Sequence, residues 1–576
     1  MPRGMMGAAA AIDAGTARMR LFEFRGLNTQ AARTGLPQQF QSWLENFMPL
    51  ADANAVVVPG PGSALATLSG AAVSRLWYAN IGSTDYLVAA RSDGSMTGVN
   101  AASGAQSSVA GSGTFTAPFA AGWNSERVLI TDSSYGYADW DGSTFTNHGA
   151  TVNITGDTTT SSETVSGLSS TAGYQVGWGI TGTGIPAATT ISAIDASANT
   201  LTLSQAATAS GTGVSLAIST AAPAGSAMAV YSGRVWIASG RVLTYSAPGS
   251  FADFSTGNGG GVLKITDPGL GHGVVALVPA FGYLYVIGDA GVFVLSNVQV
   301  NTSGVTTFSF QPLATGIGTT FPLANATYAD VLVFGNRYGI YAVQGAAVPK
   351  LSGPLDGLMQ KVSFGQAPVM ALAEVQNIQC LVALFSYTGG SSTRSLLALF
   401  FGGKWWLASQ GDGLVAITTA YINGQQVLYG SSGNDITPLF QNTADGAVSA
   451  RFDTALLDFN VPWRTKALLR VGVEATLPSG LTEAAVTIEA QADVQSQSIS
   501  ANLGSTLVVS VVNASGVTVA ITNQSGQAVS ITAAGPIRSY PAAEVSGKYV
   551  GFSFRASTPG LTLNALLGEI QERDEW

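Results

Sequence analysis

Residues 283–296, YLYVIGDAGVFVLS, carry the pattern that decides the fold. Two apolar runs flank a turn at Gly288-Asp289, which is the sequence signature of a β-hairpin. Similar units lie on either side, with turns at Ser239-Gly240 and Gly335-Asn336, so that successive turns are about 48 residues apart. Self-similarity at this period, with about four strands in each unit, indicates a β-propeller.

Four further hairpins extend this series in both directions. Their turns lie at Ser92-Asp93-Gly94, Asp132–Ser134, Thr388-Gly389 and Ser432-Gly433. The sequence therefore predicts an all-β protein with a propeller of six to eight blades, and the seven turns favour seven. We assign residues 62–150 and 223–445 to this propeller.

An insertion interrupts the series, because the turns at Asp132 and Gly240 are 108 residues apart. Residues 151–222 contain no Lys or Arg, and short Thr/Val/Ile runs alternate there with turn residues. This texture predicts a small inserted β-sandwich-like domain. The segment contains a G-x-G-x-x-G match at 177–182, but a following glycine and proline exclude the helix that a dinucleotide phosphate needs.

The two ends of the chain lack the repeat. Residues 1–61 predict an N-terminal arm with a short helix around Phe40–Phe47, packed on a neighbouring domain or subunit. Residues 446–576 continue in β style without the 48-residue unit, and we expect a separate C-terminal β-sandwich-type domain. Arg3 precedes only a short apolar run that ends at Asp13, so we expect no secretory signal.

Composition narrows the function classes. Only 10% of the 576 residues are charged, 46% are hydrophobic and the formal net charge is −9. An acidic balance argues against a basic surface that binds nucleic-acid phosphates tightly. It does not exclude a surface past which nucleic acid slides. No window holds 18 uninterrupted apolar residues, so we expect no membrane span.

Residues suited to catalysis or metal binding are few. The two histidines, His148 and His272, and the single cysteine, Cys380, cannot supply the usual zinc ligands, and Cys380 lies in an apolar run typical of a buried strand. The DWDGS segment ending at Ser143 lacks the other oxygen ligands of a calcium loop and is better explained as a tight turn. We therefore predict no catalytic, cofactor-binding or metal-binding residue and no enzyme activity, although 33 acidic residues leave a glycosidase pair open.

Several segments resemble the tail nozzle (distal tail-tube) proteins of short-tailed bacteriophages, and more loosely the related tail-stabilisation proteins. The opening RGLNTQAARTGLPQQFQSWLENFMP…VVVPGPG resembles that family's entry motif, with matches at Asn46, Pro49, Pro59 and Gly60. Val58 departs from it, because the family often has an arginine before that proline. The segments ADWDGSTF, RVWIASGRVLTYSAPGSFADFS, YLYVIGDAGVFVLS and YVGFSFRASTPG…GEIQERDEW resemble blades and the closing strands of a docking sandwich.

The resemblance covers most of the chain outside 151–222, and it implies a structural virion protein. Six copies would form a ring below the portal and head-to-tail adaptor proteins, in contact with tail fibre or spike proteins. Double-stranded DNA would be retained in this ring and then conducted through it during ejection, without sequence-specific binding. The protein would be made in the host bacterial cytoplasm and located in the short tail of the virion. We expect the arm arginines to make subunit or adaptor contacts: Arg3, Arg18, Arg20, Arg25 and Arg33.

Two other functions remain open. The chain could be a carbohydrate-binding propeller of a surface adhesin or host-recognition protein, with Trp405, Trp406 and Tyr421 stacking on sugars. We favour a core position for the two tryptophans, since aromatics in such strands usually face the core. A propeller hydrolase is the third class.

Overall fold

The computed structural model describes residues 16–50, 53–148, 152–172, 174, 176–219, 223–302, 304–389, 392–504, 511–512, 518–519 and 537–573. Within these ranges the chain is an all-β protein built of many small sheets, which confirms the predicted class. Its described helical elements are short: the α-helix Asp356–Met359 and the 3-10 turns Arg33–Gly35, Thr256–Asn258, Pro268–Leu270, Gly353–Leu355 and Ser409–Gly411.

Seven antiparallel meanders make up the middle of the chain, and we number them in chain order. Their strands are Val73–Ile81, Thr84–Arg91, Met96–Asn100 and Gln106–Ala110 (meander 1); Phe119–Trp123, Arg127–Asp132, Gly136–Trp140 and Phe145–Asn147 (2); Ala227–Tyr231, Arg234–Ser239, Val242–Tyr245 and Gly261–Lys264 (3); Val274–Ala280, Tyr283–Gly288, Gly291–Val300 and Thr306–Thr315 (4); Asn325–Tyr328, Val331–Asn336 and Gly339–Val343 (5); Val369–Val375, Ile378–Gly389, Ser392–Phe401 and Lys404–Ala408 (6); Ala416–Ile422, Gln425–Ser432 and Asp435–Pro438 (7). The strand Val362–Ser363 also pairs with meander 6.

All seven predicted turns connect the second and third strands of a meander. In meander 4, for example, Ile287 pairs with Val292 across the turn at Gly288-Asp289. The sequence period therefore marks the same structural position in every meander.

The turns between first and second strands are tight in a different way. In five meanders these loops have two residues, both at positive φ, as in Phe281-Gly282 (52° and 78°) and Asn423-Gly424 (52° and 78°). Two central residues at positive φ define a type I′ turn, whose twist matches that of the flanking strands. These hairpins consequently keep the right-handed twist of the meanders.

Buried hydrophobic clusters lie between successive meanders. One cluster joins meanders 1 and 2, and others join 2 with 3, 3 with 4, and 4 with 5. A larger core includes meanders 5, 6 and 7. Meander 7 in turn shares a cluster with meander 1. The short strand Ala66–Thr67, which precedes meander 1, pairs with Ile436 and Asp435 and so becomes the fourth strand of meander 7.

The segment between meanders 2 and 3 has its own sheets and core. Val152–Thr158, Gly179–Gly182 and Gly211–Ser219 form one three-stranded sheet, and Thr164–Val165, Ile191–Asp195 and Thr200–Leu203 form another. Their buried side chains, including Ile180, Leu201 and Ile218, form a separate cluster. Val152 pairs with Ile218, so the two ends of the segment are adjacent.

Strands from both ends of the chain combine into two sheets, which we call the terminal body. One has seven strands: Phe47–Leu50, Asn54–Val57, Thr562–Arg573, Thr465–Thr476, Ile537–Ser539, Thr16–Leu21 and Ala542–Gly547. The other contains Gln41–Glu45, Ala450–Thr454, Val550–Ala556, Glu483–Ala492 and Ser496–Gly504, and continues through Lys404–Ala408 into meander 6 as one ten-stranded sheet. The short strands Val511–Val512 and Thr518–Val519 pair with each other.

Two expectations for the chain ends are wrong. The predicted helix at Phe40–Phe47 is instead the strand Gln41–Glu45, a turn at Asn46, and the start of a second strand. The strands of 446–576 are not a separate unit, since Thr16–Leu21 pairs with Thr562–Arg573 and Gln41–Glu45 pairs with Ala450–Thr454. The described part of the N-terminal arm, which begins at Thr16, therefore packs on a neighbouring part of the same chain.

Candidate functional site

Asn46 connects the terminal body to meander 6. It lies between two strands in a left-handed conformation (φ 59°) and is fully buried. Its side chain donates to Ser409 Oγ (2.7 Å) and to the Ser449 carbonyl (2.6 Å), and it accepts from the Ser409 N–H (3.0 Å). Its backbone N–H donates to the Leu407 carbonyl and its own carbonyl accepts from Val58. Every polar group of Asn46 is thus used to join separate segments.

The other residues of the entry motif lie close to this junction. The Pro59 carbonyl accepts from Gln410 Nε2 (3.2 Å), and Gly60 forms an antiparallel bridge with Asn442. A Cβ atom at Gly60 would lie 2.5 Å from the Ala447 carbonyl oxygen, so only glycine fits there. Pro49 pairs with Ala55 within the seven-stranded sheet.

A carboxylate on the same strand is held by an arginine from meander 6. Glu45 accepts two hydrogen bonds from Arg394, at 2.9 and 3.2 Å, and a third from Trp43 Nε1 at 2.7 Å. The Glu45 side chain is only 8% exposed, whereas that of Arg394 is 32% exposed. Such a forked, charge-assisted contact fixes both side chains relative to each other.

A second arginine–carboxylate pair lies on the neighbouring strand. Asp453 accepts from Arg451 Nε (3.0 Å) and Nη2 (2.6 Å), and from Ser553 Oγ (2.5 Å). The hydrogen bond to Asp453 raises the pKa of Arg451, so this guanidinium is charged at neutral pH. The Arg451 side chain is 43% exposed.

These two pairs border a polar groove with a volume of about 360 Å³. One wall comes from the hairpin of Tyr387 and Arg394 in meander 6, and the other from Trp43 and Asp453 in the terminal body. The rings of Trp43 and Tyr387 are 5.9 Å apart and inclined by 49°. The full lining is Ser42, Trp43, Tyr387, Gly389, Ser392, Arg394, Arg451 and Asp453.

Strand register explains why these side chains meet. Trp43 pairs with Asp453, and Glu45 pairs with Arg451, so all four lie on one face of the ten-stranded sheet. Leu44 and Phe452 point to the opposite face and are buried in the core. In the hairpin formed by Ile378–Gly389 and Ser392–Phe401, Tyr387 pairs with Arg394. This pair lies beyond Leu397, the last residue of the hairpin that pairs with the strand Lys404–Ala408. The hairpin therefore extends past the strand Lys404–Ala408 and forms one side of the groove.

The two histidines occupy unrelated places. His148 is buried, with Nε2 at 2.5 Å from Asp139 Oδ1, and Asp139 also pairs with Arg127 at 2.7 Å. His272 is exposed and contacts Asp289 through Nδ1 at 2.6 Å. Neither lies at the groove, and no cluster of metal-ligating residues occurs within the described ranges.

The remaining candidates named from the sequence lie outside the groove, and most of them have a structural role. Cys380, Trp405 and Trp406 are buried, as expected for core residues, and burial raises the pKa of Cys380 to about 12. Tyr421 is 53% exposed and could contact a ligand, but it is not part of the groove. Asp141 accepts backbone N–H bonds from Ser143 and Thr144, which confirms the tight turn in DWDGS.

The glycine fingerprint at 177–182 forms no phosphate loop. Gly179–Gly182 is a strand of the inserted segment, and no helix follows it in the described part of that segment. Three of the arm arginines contact other residues of the chain. Arg20 contacts Glu474 (3.3 Å), Arg33 donates to the carbonyls of Thr454 and Phe552, and Arg25 contacts Glu23. Arg18 is exposed, and Arg3 lies outside the described residues.

Sequence reasoning missed the groove because its residues are far apart along the chain. Glu45 and Arg394 are separated by 349 positions. The available signal was the alternation of polar and apolar residues in QSWLE and ARFDT, which places Trp43 with Glu45, and Arg451 with Asp453, on one face of each strand.

No protein-family model matches the chain, and no curated protein is significantly similar to it. None of the described helices is long and apolar enough to cross a membrane.

Proposed function

We propose that the seven meanders are the blades of a seven-bladed β-propeller. Successive meanders share hydrophobic clusters, and the last shares one with the first, as radial packing requires. The strand Ala66–Thr67 completes meander 7 from the N-terminal side and so ties the two ends of the series together. In the same proposal, the two sheets of the terminal body form a β-sandwich around their common core.

We infer that this chain is a structural subunit of the tail nozzle of a short-tailed phage. Six copies form a ring that retains the DNA genome and then conducts it during ejection. One observation carries the inference. Asn46, Pro59 and Gly60, three of the four matches in the entry motif, contact the segments that follow meanders 6 and 7. The resemblance and the geometry therefore single out the same junction.

The distribution of charge supports passage of DNA rather than its capture. The chain has 24 Lys and Arg against 33 Asp and Glu. Several arginines are already bound to carboxylates or carbonyls, among them Arg33, Arg234 and Arg394. Cations engaged in this way offer few contacts to a sliding duplex, and each retained phosphate contact would slow its exit.

The mass of the full-length protein in solution tests the proposal. A nozzle subunit forms a closed ring, and native mass spectrometry should give six times the 58.6 kDa chain mass. Electron microscopy should then show an axial channel wide enough for duplex DNA, and in the phage particle the ring should lie at the distal end of a short tail. A protein that stays monomeric or trimeric at micromolar concentration, or that forms a peripheral fibre in the particle, would refute it.

The groove favours a second candidate, the carbohydrate-binding propeller of an adhesin or host-recognition protein. Two of the three aromatics first considered for that role are buried, but Trp43 and Tyr387 form an accessible pair beside polar side chains. Oligomeric state separates the candidates, since an adhesin needs no six-membered ring with an axial channel.

A further inference from the structure

We propose that the groove between meander 6 and the terminal body is a binding site for an uncharged saccharide. This site does not depend on the nozzle proposal, because a ring subunit and an adhesin could both carry it. The inference follows from three properties of the groove: its aromatic walls, its pairing of donors with acceptors, and its balanced charge.

The aromatic walls suit the apolar face of a sugar ring. Trp43 and Tyr387 are both partly exposed, and their centroid distance of 5.9 Å brings them together at one site. Gly389 supports this arrangement, since a Cβ atom there would lie 2.6 Å from Tyr387 Cε1. The tyrosine ring thus occupies the space that any other residue at 389 would fill. Rigid aromatic side chains bind with little loss of conformational entropy.

The polar groups match the two-way hydrogen bonding of hydroxyl groups. Asp453 supplies carboxylate acceptors, while Arg394 Nε and Arg451 Nη1 keep N–H groups that the two ion pairs leave unused. Ser42 and Ser392 already donate their hydroxyl protons to backbone carbonyls, so they add hydroxyl oxygens that can accept a hydrogen bond. A hydroxyl group both donates and accepts, so such a mixed lining can satisfy several hydroxyls at once.

The charge balance selects an uncharged ligand over an anion. Arg394 is neutralised by Glu45, and Arg451 by Asp453, so the four side chains sum to zero. A phosphate or a sugar carboxylate would have to compete with carboxylates that already hold both guanidinium groups. A volume of about 360 Å³ is at the lower end of small-molecule sites, which fits one or two sugar rings.

Binding of the full-length protein to immobilised glycans tests this site. The array should carry neutral oligosaccharides of glucose, galactose, mannose and rhamnose, together with sialylated and uronic-acid glycans. We expect binding to at least one neutral glycan, and Tyr387→Ala should weaken it at least tenfold. Inorganic phosphate at millimolar concentration should not compete.

Two further variants guard against a folding artefact. Gly389→Ala keeps every polar group but forces the Tyr387 ring to move, and it should weaken binding severalfold with an unchanged circular dichroism spectrum and melting temperature. Tyr421→Ala removes an exposed aromatic away from the groove and should bind like the wild type. The proposal is wrong if the wild type binds no neutral glycan of the array, if it binds acidic glycans alone, or if Tyr387→Ala and Gly389→Ala both bind normally.

Discussion

Replacing Asp132 by asparagine should loosen the connection between meanders 1 and 2. Asp132 ends the second strand of meander 2 and is fully buried. Its Oδ1 accepts the N–H groups of Ser134 (2.8 Å) and Tyr135 (3.0 Å), which form the turn. Its Oδ2 accepts those of Thr116 (3.0 Å) and Ala117 (2.7 Å), which precede the meander.

The expected loss of stability depends on the number of side-chain oxygen atoms that can accept these N–H groups. Asparagine has one carbonyl oxygen, so it can keep one pair of N–H groups while its own NH₂ faces the other pair. Hydrogen bonds to a charged group contribute about 1.5 to 3 kcal/mol each, but the freed N–H groups lie in a partly exposed loop where water can reach them. We therefore expect Asp132→Asn to destabilise this region by about 2 to 3 kcal/mol.

The effect should depend on pH. Burial raises the pKa of Asp132, but its four N–H donors outweigh burial and hold the pKa below the ordinary value of 3.8. A carboxylate with a lowered folded pKa stabilises the protein above its unfolded pKa, and this contribution is lost as pH falls through the folded value. The difference between wild type and Asp132→Asn should be complete at pH 7 and should shrink below pH 3.8.

Hydrogen exchange measured by mass spectrometry reports on this region directly. At pH 7, peptides that contain residues 116–117 or 133–135 should exchange roughly 30 to 150 times faster in the variant, as 2 to 3 kcal/mol implies. Asp141→Asn is the matched control, because Asp141 accepts both turn N–H groups through one oxygen that asparagine retains. Equal exchange in Asp132→Asn and wild type would refute the argument.

Three further predictions concern the junction, the thiol and the insertion. Asn46→Ala should destabilise the protein by about 4 kcal/mol in urea unfolding, because it removes three side-chain hydrogen bonds and leaves alanine in a strained left-handed conformation. Asn46→Gly also loses the hydrogen bonds but is not strained, so it should be about 1 kcal/mol more stable than Asn46→Ala. Equal unfolding midpoints for the two variants would contradict this. Cys380 should not react with a thiol reagent at pH 8 until the protein is unfolded, so rapid stoichiometric labelling of native protein would disprove its burial. Deletion of 151–222 should leave a soluble, folded remainder, since Val152 and Ile218 are paired at the segment's ends; insoluble protein from the deletion alone would show that the segment belongs to the core.

The sequence was informative wherever a turn needed glycine or an acidic residue. The seven predicted turns contain such residues, and all seven lie between second and third strands. The type I′ turns between first and second strands were harder to predict from the sequence. Asn423-Gly424 has the expected composition, but Ala329-Asp330 and Gln376-Asn377 also adopt positive φ values at both positions, without glycine. There the pairing of neighbouring strands overrides local preference.

The mistaken helix has a specific cause. Phe40, Trp43, Leu44 and Phe47 have the spacing of one helical face, yet Phe40 precedes the strand Gln41–Glu45 and the other three residues belong to two strands. Asn46 adopts a left-handed conformation between those strands and resets their alternation, so Leu44 and Phe47 are both buried although three positions apart. A single residue at positive φ can therefore imitate a helical period, and its conformation depends on partners at Ser409 and Ser449 that lie far along the chain.

The groove could not be located from sequence because it forms only when two distant parts of the chain share one sheet. Glu45 pairs with Leu407 in a single parallel contact, and this contact makes meander 6 continuous with the terminal body. Arg394 then reaches Glu45 across the sheet, while Asn46 fixes the adjoining turn. A ligand in the groove would touch the meander through Tyr387 and the terminal body through Trp43. The same contacts that hold the two parts together therefore also determine the width of the groove, so substitutions at the junction should alter ligand binding even when they touch no lining residue.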